Sequence, residues 1–88
     1  MNYGQLIESV ATKCGRDVPH PGDMYQHFKG MVVVVQAVAI HTETEEPLVI
    51  YSHGSNTWAR PLEMFLSRVD KDKYPECTQE YRLEKVGD

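Results

Sequence analysis

The chain has 88 residues, 9 of them basic and 13 acidic, which leaves a formal net charge of −4 with the four histidines neutral. One domain fits in that length, and it buries only about two-thirds of its unfolded surface. The acidic balance excludes a non-specific nucleic-acid binder, and no apolar run nears the roughly 18 residues of a membrane helix.

Residues 1–15 are predicted as an N-terminal helix. Asn2 can cap it, with Gln5 reaching back three positions later as in a capping box. Leu6, Ile7, Val10, Ala11 and Cys14 then share one face at helical spacing, and Gly15 supplies a left-handed stop. No charged segment followed by an apolar one marks a signal peptide. Residues 16–22 hold Pro19 and Pro21 and read as an extended linker. Residues 23–88 are expected to form a small β-domain.

Met24 to Phe28 alternates weakly and ends at a Lys29-Gly30 turn. Met31 to Ile40 is the strongest strand signal. Strict alternation puts Met31, Val33, Val35, Ala37 and Ala39 on one face, with Val32, Val34, Gln36, Val38 and Ile40 on the other. Both faces are largely apolar, so one is expected to fill an interior and the other to need a cover. The helix or a second subunit would supply that cover.

His41 to Glu46 is a hairpin connection, Leu48 to Ser52 the next strand, and His53-Gly54-Ser55-Asn56 a turn. Thr57 to Arg60 makes a short strand closed by Pro61, and Leu62, Met64 and Phe65 after that proline suit a single helical or 3₁₀ turn. Leu66 to Val69 is a candidate extension, Asp70 to Gln79 is charged and irregular, and Tyr81 to Val86 alternates as a last strand. The predicted fold is a mostly-β, SH3-like small barrel or curled antiparallel sheet of about five strands with a short N-terminal helix.

The acidic excess sits mainly before Pro47, where Lys13, Arg16 and Lys29 face six Asp or Glu. Residues 47–88 are nearly balanced, with six basic against seven acidic side chains. Cys14 and Cys77 lie in dissimilar surroundings and read as two free thiols, which suits a cytoplasmic protein.

Three strings stand out: YQHFKG (Tyr25 to Gly30), AIHTETEEPLVIY (Ala39 to Tyr51) and WARPLEMF (Trp58 to Phe65). Their order resembles the domain-of-unknown-function family number 1653, with its YxHFKG start, HSET turn, VVY strand and WxRPxEMF close. Tyr25, His27, Phe28, Lys29 and Gly30 match the opening, and His41, Glu43 and Thr44 match the turn, with Thr42 in place of serine. Tyr51, Trp58, Arg60, Pro61, Glu63, Met64 and Phe65 match the remainder. The His53 to Thr57 loop is shorter than the family's usual one. The resemblance implies a compact mostly-β domain of bacterial or phage origin and hands over no catalytic residues.

His41-Thr42-Glu43 has the H-x-E spacing of zinc deaminases, but the P-C-x-x-C partner is missing and Pro75-Glu76-Cys77 does not replace it. A local turn explains that segment better. The histidines and cysteines lack metal-ligand spacing, so no metal or other cofactor is expected. The remaining candidate ligand-binding set is Tyr25, His27, Lys29, His41, Glu43, Tyr51, Trp58 and Arg60, where a cation among aromatics suits a planar or anionic ligand. The competing reading makes Tyr51, Trp58 and Phe65 core and pairs Arg60 with Glu63 or Glu43.

The leading functional expectation is a non-catalytic binding module, acting in a bacterial cell or phage-infected host, that docks to a protein partner or to a second copy of itself. A nucleotide or nucleotide-signal binder of sponge type is the alternative, and a small hydrolase-type enzyme using His41 and Glu43 comes third. No membrane partner is expected.

Overall fold

In the computed structural model, which describes residues 2–87, helix α1 (Tyr3–Lys13) begins at an Asn2 capping box. Met1 and Asp88, the outer ends of the expected helix and β-domain, lie outside the described residues. Asn2 Oδ1 accepts from the Gln5 N–H at 2.8 Å, and Gln5 Oε1 accepts from the Asn2 N–H at 3.1 Å. The helix stops at Gly15, whose φ is +69°, with Gly15 N donating to Thr12 O and Arg16 N to Ala11 O. This pair of bonds is the Schellman arrangement. A Cβ at Gly15 would meet no atom within 4 Å, so Gly15→Ala carries only the left-handed backbone penalty. It is expected to cost about 1 kcal/mol and lower the thermal midpoint by roughly 4–8 °C.

Five strands follow the linker: β1 (Met24–His27), β2 (Val32–Ile40), β3 (Pro47–His53), β4 (Asn56–Pro61) and β5 (Leu83–Val86). They form one antiparallel sheet in the order β4-β3-β2-β1-β5. β4 and β5 remain its two edges, so the sheet is curled and does not close into a barrel. As expected, Pro61 closes β4 and a helical turn, α2 (Leu62–Phe65), follows it. Leu66 to Val69 does not extend as a strand; Arg68 makes one isolated bridge with Tyr81.

Strict alternation along β2 fails at a bulge. Val35 pairs with Tyr51, but Ala37 pairs with Ile50, so the register shifts at Gln36. Two residues there oppose one, and the faces exchange beyond it. Val33 and Val35 point inward before the bulge, and Val38, opposite the fully buried Val49, points inward after it. Val32, Val34, Ala37 and Ala39 are left outside. The bulge therefore turns the bulkier Val38 inward and two alanines outward. Gln36 fits that outer side, with Nε2 donating to Ser52 Oγ at 3.0 Å.

The core lies on the inner face. Phe65 and Leu62 from α2 are fully buried beside Leu66, Val35, Val49 and Leu83. Tyr25 meets Phe65 edge-on at 5.0 Å between ring centroids, and Tyr51 lies 5.7 Å from the same ring. Ala11 of α1 joins this cluster, with Ile7, Val10, Cys14 and Val18 packed against it. The helix thus covers the inner face and leaves the outer one open, with Met24 and Val32 both exposed. No helix among the described residues is long and apolar enough to cross a membrane.

Candidate functional site

Half of the inner face is filled by α1 and α2, and the other half holds a cavity of about 220 Å³ between the curled edges of the sheet. Its buried base is Val33 of β2, Tyr51 of β3 and Leu83 of β5. Trp58 and Arg60 approach from β4, His27 from the end of β1, His53 from the end of β3 and Met31 from the β1–β2 turn. Strand pairing explains the convergence. Trp58 stands opposite Tyr51, Arg60 opposite Val49 and His27 opposite Leu83, so all three point to the inner face.

Arg60 is the unusual member. Its Nη1 is buried and has no hydrogen-bond partner. The expected pairing with Glu63 is absent because Glu63 bonds Lys13 on α1 at 3.2 Å. Glu43 lies in the β2–β3 turn, outside the cavity, and no acidic residue lines the cavity. Burying a charged donor without a partner is costly, and such groups in folded proteins call for an explanation.

His27 shares this environment. Burial foremost, then the charges of Arg60, Lys29 and Arg82, hold its imidazolium form below the ordinary histidine range. Its Nδ1 accepts from the Lys29 N–H at 3.1 Å, so the neutral ring keeps its proton on Nε2 as a donor. Trp58 is 50 % exposed at the mouth and Tyr51 only 9 %. The competing core reading thus holds for Tyr51 and Phe65 but not for Trp58 or Arg60.

The other predicted site residues lie elsewhere. Tyr25 is a core ring, and its burial raises its hydroxyl pKa. Lys29 sits in the β1–β2 turn with Nζ 5.8 Å from the Phe28 ring centroid and 5.6 Å from that of Tyr74. His41 and Glu43 belong to the β2–β3 turn, where His41 Nδ1 accepts from the Glu43 and Thr44 N–H groups. That imidazole edge is spent on backbone. Met31, Val33, His53 and Leu83 carry no sequence signal for the site; the β1–β2 pairing brings in Val33, with Met31 just before it, β3–β4 brings in His53 and β1–β5 brings in Leu83. Both cysteines are free thiols, and the described residues hold no cluster of three or more His, Cys, Asp or Glu able to bind a metal.

The family model described as "Protein of unknown function (DUF1653)" matches residues 23–85, most of the chain. The chain belongs to this family. The DUF1653 match begins at the residue before β1 and runs into β5, leaving α1 and the linker outside it. It also includes 66–85, beyond the last of the three motif strings, and the packing explains why: Leu66, Val69 and Leu83 are buried. No curated protein and no solved structure matches the chain significantly. Within the DUF1653 motifs the roles now separate. WARPLEMF gives Trp58 and Arg60 to the cavity but Leu62 and Phe65 to the core, and YQHFKG gives His27 to the cavity but Tyr25 to the core.

Proposed function

We propose that this DUF1653 protein is a non-catalytic binding module that docks a partner chain by accepting one of its anionic groups in the Arg60 cavity. The unpartnered Arg60 Nη1 carries this reading: a bound anion would supply the missing acceptor, bidentately if it is a carboxylate or phosphate. The volume favours a part of a larger molecule over a whole small one. Enclosing small-molecule sites run to roughly 300–1,000 Å³, whereas this cavity is about 220 Å³.

A second copy of this chain, the other partner expected, would not use the cavity. It would meet β2 through the open outer face, since β1 and β3 already occupy both edges of that strand. A nucleotide is the second reading, favoured by the half-exposed Trp58 ring, which offers a stacking surface beside the guanidinium. Catalysis by His41 and Glu43 is not proposed, because His41 holds its own turn together.

Trp58 is the chain's one tryptophan, so its emission reports on the cavity directly. Titration with benzoate, a carboxylate on a flat ring, is expected to change that emission saturably, and Arg60→Met is expected to abolish the change. An unchanged emission, or an equal response in Arg60→Met, contradicts the reading.

A further inference from the structure

The geometry points to a phosphate monoester, on a body carrying an aromatic ring, as the group this cavity takes; this rests on the anion-docking reading above. Charge favours it. Arg60 enters the cavity with Nη1 unpartnered, and no carboxylate lines the walls to neutralise it. Arg82 precedes the cavity residue Leu83, and its buried Nε is likewise unpartnered. Lys29 lies two residues from His27, bonded to that ring through its backbone N–H, and its Nζ is in no ion pair among the described residues.

Other cations near the sheet are already engaged. Arg16 donates to the carbonyls of Leu83 and Leu66, Arg68 to Glu80, and Lys85 pairs with Asp23. Of Arg60, Arg82 and Lys29, Arg60 alone lines the cavity, and Lys29 and Arg82 lie beside it, near enough for their charges to act on His27, without a carboxylate partner among the described residues. A carboxylate brings one negative charge and two oxygens, whereas a phosphate monoester near neutral pH brings almost two charges and three terminal oxygens. The neutral His27 Nε2–H adds a further donor suited to an oxyanion. Trp58 and Tyr51 supply aromatic surface beside Arg60 for the ring.

Calorimetric titration at pH 7.5 with phenyl phosphate and with benzoate tests this on one scaffold. Phenyl phosphate is expected to bind about tenfold tighter or more, and Lys29→Met, which changes an exposed turn residue, to shrink that ratio. Equal or tighter benzoate binding overturns the phosphate assignment while leaving the anion-docking reading standing. Binding of neither probe overturns both. Two further titrations distinguish the sources of such a group, and tighter binding of either probe than of benzoate supports the assignment. Acetyl-phosphotyrosine amide binding more tightly than adenosine monophosphate places the group on a partner chain, and the reverse order places it on a free nucleotide.

Discussion

Phe65→Ala is expected to remove about 3–5 kcal/mol of stability, the usual cost of deleting a fully buried phenyl ring. The ring is fully buried and meets both Tyr25 and Tyr51, so three aromatic side chains lose their mutual packing at once. A domain of this size has only about 5–15 kcal/mol in total. The thermal midpoint should drop by roughly 12–40 °C, which calorimetry or far-UV circular dichroism reads directly. A drop of only a few degrees would mean that α2 is not the keystone of the inner face. Because Tyr51 also lies at the base of the cavity, the same variant should weaken benzoate binding even where it remains folded.

Arg60→Met is expected to move stability the other way. An unsatisfied buried donor costs roughly 1–3 kcal/mol, and methionine fills similar length with an apolar, adaptable chain. Chemical denaturation should show a gain of about 1 kcal/mol or more, together with loss of ligand response. That opposite pairing separates a binding residue from a structural one. If Arg60 fixed the sheet corner through an ion pair, as one sequence reading supposes, the substitution would destabilise. The ion pair of Glu63 with Lys13 leaves that role vacant.

Much of the fold was legible because its signals are local. The capping box at Asn2, the stop at Gly15, the Pro-rich linker and the turn residues between strands each act over a few positions. The inner and outer faces of β2 were not legible beyond Val35. A bulge has no reliable signature in a valine-rich run, and one extra residue exchanges every later side chain between faces.

The site divides along the same line. Trp58 and Arg60 lie on one face by simple alternation, and His27 follows in phase with Tyr25 along β1. Leu83 could not be joined to them from sequence. It enters only because β5 pairs with β1 across more than fifty intervening residues. His41 and Glu43 appeared beside the cavity residues because they share the family's motifs. In the chain they end the far hairpin, where imidazole and hydroxyl groups hold backbone N–H groups. Motif membership gathered residues of two kinds, and only the strand register separates them.

On the anion-docking reading, Arg60 waits for an anion. Side-chain guanidinium spectra of nitrogen-15-labelled protein test it most directly, since the chain has only four arginines and each sits in a different setting. On addition of phenyl phosphate, the Arg60 signals are expected to shift and to exchange more slowly with solvent. Those of Arg16, already bonded to the Leu83 and Leu66 carbonyls, and of Arg68, paired with Glu80, should stay in place. Stationary Arg60 signals, with shifts confined to the exposed Arg68, would contradict the account.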